Sequence, residues 1–103
     1  MSQDLEKLRA QIISLVNPLK IILFGSRSKE TSSDKSDYDL LILMPEGTNK
    51  RETAQLLYRS IENVKTSYDF IVATPNTLEK FSNIRHLVYF HALKDGKEIY
   101  VAR

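Results

Sequence analysis

The stretch Lys20-Ile21-Ile22-Leu23-Phe24-Gly25-Ser26, followed after ten residues by Asp37-Tyr38-Asp39-Leu40-Leu41-Ile42-Leu43-Met44, decides how this chain folds. Each half holds a short apolar run bounded by polar or turn-forming residues. Such runs are too short for an independent helix and read as buried strands, Lys20 to Phe24 and Tyr38 to Met44. Residues 27–36 between them are polar throughout and form a loop. That connection is shorter than an ordinary helical crossover, so spacing alone leaves the two strands free to pair either way. A mixed sheet is the expectation.

Working outward, residues 4–16 place Leu5, Leu8, Ile12, Leu15 and Val16 at three- and four-residue steps, one face of an amphipathic helix. Asn17-Pro18 stops it, because proline cannot extend the hydrogen-bond ladder. Pro45-Glu46-Gly47 closes the second strand. Asn49 and Glu52 then form a capping pattern for a helix whose apolar stripe is Ala54, Leu57, Ile61 and Val64. Tyr68 to Ala73 reads as a third strand, and Thr74-Pro75 as the cap and first turn of a helix beginning near residue 75. A last helix is expected over about 83–94, stopped at Gly96, with a short strand at Glu98 to Val101. This order predicts an α/β (α+β) fold, a small mixed β-sheet with flanking helices.

The chain has 103 residues, 42% of them apolar and 27% charged, the balance of a folded domain. One domain over residues 1–103 is the expectation. The net charge of +2 is too weak to point to nucleic acid, and no direct nucleic-acid contact is expected. There are no cysteines, which excludes disulfides, a thiolate nucleophile and Cys-ligated zinc. The N-terminus carries acids and no apolar core of a signal peptide, and the longest apolar runs fall far short of the ~20 residues that span a bilayer. A soluble cytoplasmic protein is therefore expected, with no membrane partner.

The chemistry sits at the ends of the strands. Gly25 lets backbone approach a ligand closely, since no Cβ intervenes. A helical turn after it would offer free N–H groups to phosphate; Ser26 adds a hydroxyl and Arg27 a guanidinium fork for phosphate oxygens. Asp37 and Asp39 are two apart in an extended segment, so alternation sets both carboxylates on one side and Tyr38 on the other. Two carboxylates so close call for a hard cation, and Mg²⁺ is held by such carboxylates together with substrate phosphates. Asp69, a charged residue near the start of an apolar strand, becomes a third acid if that strand lies beside the second. It could then bind a second metal or take the proton of an attacking hydroxyl.

With Gly25-Ser26, a ten-residue interval and Asp37-Tyr38-Asp39, the chain resembles the DNA polymerase β-like nucleotidyltransferases. It is more closely similar to the minimal nucleotidyltransferases, antitoxin partners of HEPN-domain toxins. The likeness extends over most of the chain, through Asp69 to the closing Ala92-Leu-Lys-Asp-Gly-Lys-Glu-Ile-Tyr100 stretch. It implies a mixed-sheet nucleotidyltransferase core in which three acids bind two Mg²⁺ ions and ATP is the substrate. Gly25 and Ser26 would hold the triphosphate, Asp37 and Asp39 the metals, and Asp69 a metal and the acceptor hydroxyl. It further implies AMP transfer to a tyrosine of a cognate HEPN toxin, silencing its ribonuclease activity. Larger relatives add a domain for their acceptor, so here the acceptor is expected to come with a partner.

One position departs from the pattern: the glycine that many members carry four residues after the serine is Glu30 here. An acid beside a triphosphate repels it unless it points away. Glu30 favours a second reading, an antitoxin that neutralises by binding alone with a vestigial site; a third is an adenylyltransferase acting on a small molecule of the aminoglycoside kind, its acceptor pocket built by an assembled oligomer. Tyr58, Tyr68, Tyr89 and Tyr100 read as core or interface aromatics, and His86 and His91 as structural.

Overall fold

The two deciding runs form neighbouring antiparallel strands. A computed structural model of the chain describes residues 3–24, 38–81, 92, 94 and 96–103. The elements are α1 (Gln3–Val16), β1 (Lys20–Phe24), β2 (Tyr38–Leu43), α2 (Lys50–Ser60), β3 (Tyr68–Ala73), α3 (Pro75–Phe81) and β4 (Lys97–Val101). Ala92 and Lys94 are helical, while the rest of the helix expected over 83–94 lies outside the described residues.

The sheet runs in the order β3-β2-β1-β4. β1 pairs antiparallel with β2, from Lys20 opposite Leu43 to Phe24 opposite Asp39, and antiparallel with β4 on its other side. β2 and β3 run parallel, joined through α2. The sheet is thus mixed, as expected, and the direction left open by the spacing is antiparallel. A bulge on β4 at the level of Ile21 and Ile22 shifts the register by one residue.

Alternation divides the sheet into two faces. On one, Ile21, Leu23, Tyr38, Leu40, Ile42, Phe70, Val72 and Ile99 pack with Leu5, Leu8 and Ile12 of α1 and Leu57 of α2. Leu8, Ile12, Leu40, Ile42 and Leu57 are fully buried, each stabilising the fold by about 1.5–3 kcal/mol through removal of apolar surface from water. On the other face a smaller cluster joins Ile22, Phe24, Leu41 and Ala73 with Ala92, and Leu78 of α3 packs against it.

The helix boundaries follow their local signals. Asn17 adopts a left-handed backbone (φ 50°) and its N–H bonds the Ile13 carbonyl at 3.0 Å, ending α1 immediately before Pro18. Asn49 caps α2, its side chain accepting from the Glu52 N–H at 3.0 Å. The stripe expected to continue through Ile61 and Val64 does not stay helical: Ile61 is extended (φ −72°, ψ 134°) and Asn63 has a left-handed φ of 64°. Ile61 is still buried in the main core. The period is carried on by a turn that packs into the same core, which a helical pattern cannot distinguish from another helical turn.

That turn is tied to α1 by polar contacts. The Gln11 side chain donates to the Glu62 carbonyl at 2.8 Å and accepts from its N–H at 3.0 Å. The Asp4 carboxylate accepts from both the N–H and the hydroxyl of Thr66, at 3.1 and 2.8 Å. These bonds hold the segment that leads into β3 and so fix where β3 begins.

Candidate active site

The parallel pairing of β2 and β3 is in register at their acidic positions: Asp39 lies directly beside Asp69. The Tyr38 N–H donates to the Ser67 carbonyl at 2.9 Å, extending the ladder just before that point. Parallel neighbours stand ~4.8 Å apart, so the two acids occupy one end of the sheet at one strand spacing. Both belong by alternation to the face of Leu41 and Ala73, opposite the α1–α2 side, while Tyr38 and Phe70 point into the main core. The expected split between Tyr38 and the acid beside it is what the strand shows. Across β2 on the other side, Asp39 is the register partner of Phe24, the last residue of β1. The C-terminal end of β1 and the N-terminal ends of β2 and β3 therefore meet along this edge.

Asp39 is half-buried and Asp69 exposed. The exposure of Asp69 explains how a charge is tolerated in an apolar strand: β3 is an outer strand, and its acid stays in water. Gly25, Ser26, Arg27, Glu30 and Asp37 lie outside the described residues, as do His86 and His91. Among the described residues no three His, Cys, Asp or Glu side chains form a metal-sized cluster. The two acids that are described offer only carboxylate oxygens, the donor type that suits a hard divalent cation.

Sequence reasoning missed a participant, Tyr58 on α2. Its ring packs on Phe70 with centroids 5.0 Å apart and stacks with Tyr68 at 6.4 Å and 12°. Its hydroxyl reaches the open edge of β3, where it accepts from the Phe70 N–H at 2.8 Å and donates to Asp69 Oδ1 at 3.3 Å. Burial pushes the Tyr58 phenol above its ordinary value; the hydrogen bond from the Phe70 N–H opposes this, and the Asp69 charge adds to the rise. On sequence, a tyrosine on an amphipathic helix reads as packing, and nothing local ties it to a residue eleven positions away on a strand.

A shallow groove of about 590 Å³, lined by Arg9, Glu98, Ile99, Tyr100, Val101 and Arg103, runs along β4 at the opposite edge of the sheet from Asp69. Arg9 there donates to the Ile99 carbonyl at 2.7 Å and lies 5.6 Å from the centre of the Tyr100 ring. Among the described residues no helix is long and apolar enough to cross a membrane.

Comparison with known proteins identifies the family and the fold. The family model described as "Polymerase beta, Nucleotidyltransferase" matches residues 6–102. A comparison with curated proteins gives no match. Among solved structures, the chain is similar to a protein from Sulfolobus solfataricus provisionally assigned as a nucleotidyltransferase. That match has a TM-score of 0.65 and 19% identity, and covers 96% of this chain and 78% of the other. It is also similar to a mutant of the toxin–antitoxin pair MntA–HpeT, with a TM-score of 0.53 and 19% identity over 96% of this chain and 72% of the other. At such identities the structural likeness speaks for the fold.

Proposed function

This chain belongs to the polymerase beta nucleotidyltransferase family, and from that premise we propose that it is a Mg²⁺-dependent nucleotidyltransferase that moves AMP from ATP onto a hydroxyl. The acceptor in this reading is a tyrosine of a cognate HEPN ribonuclease toxin, and the chain acts as its antitoxin. The observation that carries the proposal is the in-register placement of Asp39 and Asp69 on adjacent parallel strands. Likeness in fold to one member of the MntA–HpeT pair supports a toxin as partner.

The residues divide the work as follows. Asp37, Asp39 and Asp69 would hold Mg²⁺, and Gly25, Ser26 and Arg27 would hold the triphosphate; Gly25, Ser26, Arg27 and Asp37 enter from the sequence. When bound there, Mg²⁺ would supply charge neutralisation for the triphosphate. The acceptor oxygen attacks the α-phosphorus, the bond from that phosphorus to the bridging oxygen of the leaving pyrophosphate breaks, and AMP remains on the acceptor. Asp69 takes the proton released by the acceptor hydroxyl.

The test is made on the chain co-purified with the protein encoded beside it. Incubation with Mg²⁺ and ATP, followed by intact-mass measurement, is expected to add whole adenylate units to the partner. An Asp37→Asn, Asp39→Asn double variant is expected to add none. A stable complex with no mass gain in the wild type would overturn transfer and leave neutralisation by binding. Turnover on a small molecule with no partner present would overturn the protein acceptor.

A further inference from the structure

Asp69 stands on an outer strand, exposed, and its carboxylate could rotate freely in water. A carboxylate that must meet both an ion and an acceptor hydroxyl has to be held to within about 0.5 Å. One group restrains it among the described residues. The Tyr58 hydroxyl has one proton to give, and the Phe70 N–H already points at its oxygen from 2.8 Å, so that proton is directed to Asp69 Oδ1. Packing of the ring on Phe70 and Tyr68 fixes where the hydroxyl sits. Oδ2 takes no hydrogen bond among the described residues and is the oxygen left for a ligand.

We propose that Tyr58 is a positioning residue for Asp69: its hydroxyl, anchored by the β3 backbone, fixes the carboxylate so that one oxygen is occupied and the other presented. This rests on the reading of Asp69 as the third acid. The arrangement couples α2 to the site through a single hydroxyl. Hydrogen-bond partners of ligating carboxylates are worth 10–100-fold in metal affinity or activity, which sets the size of the expected effect.

The test compares Tyr58→Phe, Tyr68→Phe and Asp69→Asn with the wild type. Tyr58→Phe keeps the ring and removes the hydroxyl; Tyr68→Phe removes the hydroxyl of the neighbouring ring, which has no hydrogen bond among the described residues. Binding of Mn²⁺ with a non-hydrolysable ATP analogue is followed by electron paramagnetic resonance. Pyrophosphate release from ATP is measured with the co-purified partner. Tyr58→Phe is expected to weaken Mn²⁺ binding about tenfold and to lower kcat about tenfold with KM for ATP within about twofold, at a melting temperature within about 5 °C of wild type. Tyr68→Phe is expected to match the wild type. In an Asp69→Asn background, Tyr58→Phe is expected to weaken Mn²⁺ binding no further, since the hydroxyl acts through that carboxylate.

Wild-type Mn²⁺ affinity and kcat in Tyr58→Phe, beside a weakened Asp69→Asn, would overturn the positioning role alone. Wild-type behaviour of Asp69→Asn would bring down the third acid and the positioning role together. An equal loss in Tyr68→Phe would overturn the inference by showing an effect of the aromatic cluster rather than of the hydroxyl. Should Tyr58→Phe not fold, 4-aminophenylalanine at position 58 keeps the ring and puts an N–H donor where the hydroxyl stands. Recovery of Mn²⁺ affinity there, relative to Tyr58→Leu, is the expected result, and equal loss in both would overturn it.

Discussion

Asp39 and Asp69 are direct register partners on the parallel strands β2 and β3, although thirty residues separate them in sequence. The pairing converts two isolated acids into one feature at the end of a sheet. It also accounts for the acidic start of an otherwise apolar strand, because β3 is an outer strand where that acid remains solvated.

Replacing Asp69 by asparagine keeps the shape and removes the charge and the proton acceptor. We expect the proposed AMP transfer to the partner to fall by ~100-fold or more, the usual range for loss of a positioned acid–base group, with the fold retained. Rates of mass gain on the partner, beside a circular-dichroism melt of the variant, check this. Full activity would remove Asp69 from the chemistry.

Mg²⁺ and ATP together are expected to stabilise the wild type. Ligand at a hundredfold excess over its Kd contributes ~2.7 kcal/mol, which for a domain of this size raises Tm by about 10 °C or more. Neither ligand is expected to shift an Asp39→Asn, Asp69→Asn double variant comparably. Thermal melts with each ligand alone and with both make the comparison; an unchanged wild-type Tm contradicts the metal–nucleotide site.

Asp4 gives stability a defined acid dependence. Its two bonds from Thr66 hold its carboxyl below the ordinary aspartate value of 3.8, with the Thr66 hydroxyl the main cause and partial desolvation opposing it. In the unfolded chain the group binds a proton at higher pH than in the folded one, so stability rises with pH through this window. The contribution is complete above about pH 5 and is lost as pH falls from 3.8 through the depressed folded value. The Tm difference between wild type and Asp4→Asn is therefore expected to be constant near neutrality and to shrink below pH 4. A difference independent of pH down to 2 would contradict it.

Two glycines are expected to resist substitution for different reasons. A Cβ at Gly96 would overlap the Ala92 carbonyl and the Ile22 side chain. Gly96→Ala then forces apart the backbone that closes the second core, costing about 1–3 kcal/mol as in other overpacked sites. Gly47 has open space around it but a φ of +89°, in a turn closed by the Thr48 N–H on the Pro45 carbonyl at 3.2 Å. There alanine costs about 1 kcal/mol through backbone strain alone. Urea unfolding of both variants tests this, and an equal, negligible loss at Gly96 contradicts the close approach.

Much of the fold is legible in the residues themselves. Asn17-Pro18, Asn49 with Glu52, Pro45-Glu46-Gly47 and Thr74-Pro75 each act within four residues, so their turns and caps can be read directly. α1, α2, α3 and the four strands fall at the expected places. The end of α2 is misread through Ile61 and Val64, because burial of a turn reproduces the spacing of a helical face. Of the candidate site, Asp39 is legible through its spacing from Asp37 and Asp69 as a charge in an apolar strand, and Tyr58 is not, since a tyrosine on a helix face reads as packing.

The amino-acid sequence by itself determined where the described strands lie, where α1, α2 and α3 begin and which residues are acids near strand starts, because those signals depend on neighbours a few positions apart. Only the tertiary structure decided that β1 and β2 run antiparallel, that β2 and β3 run parallel with Asp39 beside Asp69, and that the Tyr58 hydroxyl meets Asp69 at an open edge. Register and edge contacts join residues distant in sequence, and their energies come from how whole faces pack. No local pattern encodes them.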